Sequence, residues 1–237
     1  MSIENGVKTN YVVEAITTKG ENSKLCYPIK VTEFSKSYFS GAGVFNYSRK
    51  DRLHAGIDFY ASVGTPVYAI ADGEIINSPY HFYLKAYAIE IQHDISDIFP
   101  EYTKPVIIRY GEILGFSESK PIFSEKMKKT LNDNIKSLEK LIEPKIEGKI
   151  IKKGQLIGYV GCMEDNGLLE KIKSGTPGGS MLHLELYKGT ANGALTVKGN
   201  MTYDFLKPKY TYSRRRDLLD PNNIFGQVKL EKYYINK

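Results

Sequence analysis

Two cysteines, four histidines and no tryptophan occur in 237 residues, and each shortage narrows what the chain can be. Two thiols, Cys26 and Cys162, exclude a scaffold built on disulfides, and a zinc ribbon would need more of them. The simplest reading is a pair of unpaired thiols, at least one of them buried; a single bridge between them stays open. No run of 18 apolar residues occurs, so no membrane-spanning helix is expected. Residues Met1–Gly6 carry neither a basic start nor an apolar stretch, and no secretory signal is read there. Long charge runs and low-complexity tracts are missing too. No basic stripe is interleaved with aromatics, so nucleic acid is not expected as a partner.

What is present is an ordinary globular composition, 41% apolar and 25% charged. The 18 tyrosines and 10 phenylalanines favour β-structure, because aromatic side chains suit a half-buried pleated surface. A net charge of +6 suits anionic partners such as nucleic acid, a membrane surface or a bacterial cell wall, and equally suits plain solubility. Residues 1–25 are weakly patterned and read as a lead-in. From Tyr27 the chain becomes strand-like. Val67–Ala71 runs into Asp72-Gly73, a hairpin signal, and Glu74–Ile76 returns. Tyr87–His93 alternates, Pro105–Tyr110 reads as the next strand, and Lys153-Gly154 turns the chain into Gln155–Gly161. Short strands at this spacing predict an antiparallel sheet. One stretch breaks the rhythm: Met127, Leu131, Ile135, Leu138 and Ile142 recur at steps of three and four, and Pro144 stops the run. This predicts an amphipathic helix over Ser124–Ile142, within an insertion at about 117–147, packing its apolar face on the sheet. The remainder, 199–237, reads as an extension packed on a domain spanning 26–198. In it, Arg214-Arg215-Arg216 is followed by Asp217 and Asp220, which predicts internal ion pairing.

Half of the histidine supply lies in ligand-like contexts. Residues at even spacing on a strand share a face, so Met181, His183 and Glu185 point one way and Leu182, Leu184 and Leu186 pack behind. His54 and Asp58 are also an even number apart. Four residues of flat strand span about 13 Å, and Gly56 between them permits the bend that would bring both onto one ion. Two imidazoles and one carboxylate form a ligand set for catalytic zinc, with the fourth position open to water.

The stretch His54-Ala-Gly56-Ile-Asp58, followed by Gly64-Thr65-Pro66-Val67 and Asp72-Gly73, resembles the lysostaphin-type (LytM-like) zinc endopeptidases. Further likenesses follow in order: Ile89–His93, Ile108–Gly111, the turn Lys153-Gly154-Gln155 with its strand, and His183-Leu184-Glu185-Leu186. The resemblance covers roughly Cys26 to Tyr187 and implies a mainly β, antiparallel LytM-like sheet with a groove. It implies one Zn²⁺ per chain held by His54, Asp58 and His183, and bacterial peptidoglycan as the substrate, cut at a stem-peptide or cross-bridge amide.

Two departures matter. The family closes on His-x-His with the first histidine catalytic, and here Met181 stands in that place. It also carries a histidine after a Tyr-x pair on an earlier strand, where this chain has Glu112. Glu112 is therefore the candidate general base, as glutamate is in His-Glu-x-x-His peptidases. Glu185, Met181, Tyr110 and His81 are candidates for supporting a ligand or lining the groove, with Tyr110 or Arg109 steadying an oxyanion. His93 reads as an exposed or hydrogen-bonded histidine outside the metal set. The alternative is a non-catalytic, zinc-bearing component that binds the wall. A wall substrate without a signal sequence implies delivery by a phage tail or a secretion apparatus, whose proteins would then be partners, from synthesis in the cytoplasm to action in the periplasm or wall.

Overall fold

The structure is a computed structural model that describes residues 15–17, 25–30, 41–49, 52–83, 86–117, 120–122, 147–161, 180–196, 214–225 and 229–230. Its first strands are β1 (Ala15–Thr17), β2 (Leu25–Cys26), β3 (Ser48–Arg49), β4 (Arg52–Leu53), β5 (Ile57–Tyr60) and β6 (Pro66–Tyr68). The long central strands follow as β7 (Gly73–Tyr83), β8 (Ala86–His93) and β9 (Val106–Ile113). After them come β10 (Gly115–Ser117), β11 (Lys120–Ile122), β12 (Ile150–Ile151), β13 (Leu156–Tyr159), β14 (Met181–Tyr187), β15 (Leu218–Leu219) and β16 (Lys229–Leu230). A short helix, α1 (Asn222–Phe225), precedes β16. The expected fold class, mainly antiparallel β, is the one observed. The helix expected over Ser124–Ile142 lies outside the described residues, as does Cys162; Cys26 is buried with a free thiol.

Seven strands form the principal sheet in the order β12-β7-β8-β9-β14-β15, with β5 also pairing β14. β5 occupies the edge of β14 along Met181–Leu184, and β15 takes the same edge along Leu186–Tyr187. β9 lies on the other side of β14. Alternation then sorts the side chains into two faces. Ile57 and Phe59 of β5, Ile89 and Ile91 of β8, Ile108 and Tyr110 of β9, and Leu182, Leu184 and Leu186 of β14 all enter one buried core. Each of these apolar side chains contributes roughly 1.5–3 kcal/mol by leaving water. The core is closed by Val67 of β6, Ile157 of β13 and Phe225 of α1. Phe225 stacks on Tyr27 at 5.6 Å and meets Phe59 edge-on at 5.8 Å. The opposite face carries Asp58, Glu90, Arg109, His183 and Glu185, all buried.

One local expectation is corrected. Asp72-Gly73 does not close a hairpin, because β6 pairs with β13 whereas β7 pairs with β8 and β12. The two residues link separate sheets. The Asp72 carboxylate accepts from Lys152 Nζ and Lys153 N, each at 2.8 Å. A Cβ on Gly73 would stand 2.4 Å from the Gln92 carbonyl oxygen, so this glycine answers to crowding rather than to a turn.

Gly56 answers to crowding as well. A Cβ there would lie 2.3 Å from Leu184 O and 3.0 Å from His183 Cε1. The chain before β5 therefore lies against the backbone of β14, and that approach sets the distance between His54 and His183. Gly56→Ala is expected to destabilise the fold by about 1–3 kcal/mol, the usual cost of overpacking, measured by urea denaturation. Unchanged stability would mean that the two segments can part freely.

Candidate metal centre

Asp58 and His183 face each other across the β5–β14 pair. His54 is fixed from the other side by its own backbone. Its N–H donates to Tyr47 O at 2.9 Å, and its carbonyl accepts from Asn46 N at 2.8 Å. Three polar atoms converge as a result. His54 Nε2 lies 3.0 Å from Asp58 Oδ1 and 3.1 Å from His183 Nδ1, which is 2.8 Å from the same carboxylate oxygen. All three residues are buried, and they form the metal-competent group found among the described residues.

The outer atoms of the rings decide what the inner ones offer. His54 Nδ1 lies 2.7 Å from Val44 O, and His183 Nε2 lies 3.0 Å from Glu185 Oε1. A carbonyl and a carboxylate can only accept, so each outer nitrogen carries a proton, which leaves the inner nitrogen as the one able to offer a lone pair to a bound ion. Without an ion, the Asp58 carboxylate is satisfied by protons on these imidazoles. Burial alone would lower the His183 pKa, yet bonds to Asp58 and Glu185 push it up to about 9. Burial works against the charge on Asp58, but its bonds to His183 and His54 hold its carboxyl well below the usual range. Burial likewise lowers His54. The pocket thus favours positive charge, and its donor set, two imidazole nitrogens and one carboxylate oxygen, fits a zinc-like ion with an open fourth position.

Charged partners fix the ligands from behind. Arg49 Nη2 donates to Asp58 Oδ2 at 2.9 Å and to Ala42 O at 3.0 Å, leaving Oδ1 for the cluster. Glu185 is fully buried and receives four donors. His183 Nε2 and Arg214 Nε (2.7 Å) meet Oε1, while Arg109 Nη1 (2.8 Å) and Tyr187 OH (2.6 Å) meet Oε2. Four donors fill the lone-pair capacity of a carboxylate. Burial would raise the Glu185 pKa, but Arg214 and Arg109 hold it well below the ordinary value. Arg109 also binds Glu90 through Nε (3.0 Å) and Nη2 (2.8 Å). Phe82 covers this network, stacking on His183 at 6.1 Å with the Arg109 and Arg214 guanidinia 5.2 and 5.5 Å from its centroid.

Tyr110 departs from expectation. It points into the core, where its hydroxyl meets His93 Nε2 and Ile70 N, each at 3.0 Å. His93, whose Nδ1 lies 3.1 Å from Asp72 O, is a buried hydrogen-bonded histidine rather than an exposed one. Arg109 is on the metal side but is spent on Glu90 and Glu185, so neither residue of that pair is free to meet an oxyanion. His81 is exposed and packs edge-on against Tyr87. Met181 is buried, opposite Tyr60 in the strand register. Arg49, Arg214, Glu90 and Phe82 complete the site and were not singled out in the sequence. The only sequence signal among them was the arginine triplet, and there the ion pairing is split. Arg215 binds Asp217 as predicted, at 2.7 and 3.1 Å, while Arg214 goes to Glu185.

Glu112 owes its direction to a bulge. Strict alternation would send it into the core beside Tyr110. Instead the register slips between β8 and β9, with Tyr87 opposite Ile113 and Ala88 opposite Gly111. Glu112 takes a left-handed backbone, φ 60°, uncommon for a residue with a side chain. Bulges re-aim side chains in this way beside functional sites. Gly161 secures it, donating its N–H to Glu112 O at 2.8 Å in a space where a Cβ would come within 2.9 Å of that oxygen. The carboxylate is buried and its Oε2 has no partner among the described residues. Burial pushes the Glu112 pKa from 4.5 up to about 7, with His183 pulling it down and Asp58 pushing it up.

No family model and no curated protein matches the chain. Among solved structures it is similar to Helicobacter pylori Csd3 (17% identity, TM-score 0.39), with 90% of this chain aligned to 37% of that one. It is also similar to a zinc-containing peptidase from Vibrio cholerae (20% identity, TM-score 0.38, covering 68% and 35%). A third is lysostaphin from Staphylococcus simulans (17% identity, TM-score 0.40, covering 70% and 48%). This chain spans less than half the length of each.

The buried Glu112 gives a pH-dependent stability whose sign is fixed. A carboxyl with a raised folded pKa binds its proton more tightly in the native state, so its contribution is complete below about 4.5 and is lost as pH rises through about 7. With metal chelated, Glu112→Gln should gain stability relative to the unsubstituted protein by about 3 kcal/mol between about pH 4 and about pH 8. Denaturant titrations of both proteins measure that difference. A pH-independent difference would mean that the carboxylate is solvated.

Proposed function

We propose that this chain is a zinc-dependent endopeptidase of the bacterial cell wall, cutting an amide in the stem peptides or cross-bridges of peptidoglycan. The observation that carries this reading is the convergence of His54 Nε2, His183 Nδ1 and Asp58 Oδ1 within 3.1 Å of one another, each turned inward by a bond made behind it. Three protein ligands with an open position are the arrangement of hydrolytic zinc sites, whereas structural zinc sites are closed by four. When bound, the ion supplies Lewis-acid polarisation of a carbonyl and acidifies water.

The residues around it do the rest. Glu185 and Val44 O hold the imidazole tautomers, and Arg49 holds the Asp58 carboxylate in orientation. Glu112 takes a proton from the attacking water and returns it to the leaving amine. A carboxylate with a pKa near neutrality suits both steps, since it gives and accepts a proton at similar cost. Peptidoglycan as the substrate is supported by the order of motifs, from His54-x-Gly56-x-Asp58 through Gly154-Gln155 to His183-x-Glu185. The net charge of +6 suits an anionic wall. A second reading, a zinc-bearing wall-binding component without activity, is favoured by Met181, a side chain with no proton to move where the resemblance has an imidazole. Delivery by a phage tail or secretion apparatus belongs to the same proposal.

Metal analysis of the purified protein should find about one zinc per chain, lost alike in His54→Ala, Asp58→Ala and His183→Ala. Full occupancy in any two of these would refute the ligand set. Glu112→Gln should keep its zinc and its fold while release of peptides from sacculi falls about 10²–10⁴-fold. An unchanged rate removes Glu112 from the mechanism. A zinc-loaded wild-type protein that binds sacculi and never cuts them selects the second reading.

A further inference from the structure

Hydrolysis of an amide places negative charge on the carbonyl oxygen as water adds, and a hydrogen-bond donor aimed at that oxygen is worth a large share of the rate. Among the described residues, many donors on the metal face are already engaged. Both nitrogens of His54 and His183 are engaged, Arg109 is divided between Glu90 and Glu185, and the hydroxyls of Tyr187 and Tyr80 are given to Glu185 and Glu90. Met181 has no proton to donate, and Glu112 is already spoken for as the proton carrier.

Tyr60 remains. It is two residues beyond Asp58 on β5, so the two side chains share a face, and it stands opposite Met181 as Asp58 stands opposite His183. Its phenol is therefore the next group along the row that holds two of the three ligands. Burial, and after it the charges of Asp58, Arg49 and Glu112, act on that phenol. The side chain is half-buried, and no hydrogen bond to its hydroxyl is found among the described residues.

Resting on the reading of this site as an amide hydrolase, we propose that Tyr60 is a further catalytic residue, whose hydroxyl donates a hydrogen bond to the carbonyl oxygen of the scissile amide as negative charge develops there. No proton is transferred. The O–H stays on the phenol, which is protonated at neutral pH, while Glu112 alone carries the proton from water to the leaving amine. The row β5–β14 then supplies ligands and oxyanion donor from adjacent register positions, and Met181 serves as the apolar neighbour that keeps the phenol dry.

Tyr60→Phe deletes the hydroxyl and little else. The variant should keep one zinc and the melting temperature of the wild type, while kcat on purified sacculi falls about 10²–10³-fold and KM is unchanged. Binding gives a second readout. A phosphinic pseudopeptide, whose charged oxygens imitate the tetrahedral centre, should lose affinity in Tyr60→Phe by a comparable factor, whereas an uncleaved peptide of the same sequence should not. The acid limb of the pH–rate profile should stay in place, since Tyr60 does not titrate there. Unchanged kcat and phosphinate affinity in Tyr60→Phe, with the wild type active, overturn this role and leave the hydrolase reading standing. A raised KM with unchanged kcat overturns it too, as a ground-state contact. A wild-type protein that holds zinc and cuts nothing overturns both.

Discussion

Everything at the metal face depends on the meeting of Asp58 and His183 across β5 and β14. That pair is fixed by backbone hydrogen bonding, so the distance between carboxylate and imidazole is set by strand geometry rather than by side-chain choice. His54 is added from a turn whose backbone it joins at Asn46 and Tyr47. The contact that makes this possible is the closeness of Gly56 to the Leu184 carbonyl. Two candidate ligands therefore come from one short segment and the third from a strand distant in sequence, and one missing Cβ keeps them in reach.

The face is also a problem in electrostatics. Five buried carboxylates, Asp58, Glu90, Glu112, Glu185 and Asp217, lie on or beside it, and taking each out of water costs several kcal/mol unless it is paired. Four are compensated by arginines, with Arg49 on Asp58, Arg109 on Glu90 and Glu185, Arg214 on Glu185 and Arg215 on Asp217. Among the described residues Glu112 has no ion pair with an arginine, and its burial raises its pKa. Arrays of this kind are poor sources of stability, because well-packed apolar groups would do as well. What they supply is orientation: the outer nitrogens of His54 and His183 are held by Val44 O and Glu185, and Asp58 presents one oxygen inward.

The parts legible in the sequence are those written in local periodicity or short motifs. The alternation of Met181–Leu186 assigned core and site faces correctly, and the order of residues around His54 pointed to two side chains, His54 and Asp58, that the fold brings together with His183. The hairpin read at Asp72-Gly73 failed because a turn signal reports that the chain bends, not which strand it pairs with afterwards. Tyr110 was misplaced for want of a register, since a strand buried on both faces, as β9 is, has no polar face to mark. Glu112 is the reverse case. Alternation alone would have put it in the core, and the resemblance picked it out even though nothing local announced the bulge that turns it. Arg49 and Arg214 were illegible because each acts across a tertiary contact that no spacing rule encodes.

Arg214 belongs to a short clasp. β15 lies along β14, the Asp217 carboxylate accepts from the backbone of Thr190 and Ala191, and Arg215 reaches Gly193 O. These bonds hold the segment after residue 213 against the strand that bears His183. The boundary of the unit that carries this site is thus an electrical matter as much as a topological one. A chain cut before Arg214 would keep the three ligands and the candidate base, yet it would strand the carboxylate behind His183 with one arginine where it now has two. Trimming at that end amounts to inserting a net negative charge beneath the candidate metal centre, and the unit that keeps this site intact extends well past His183.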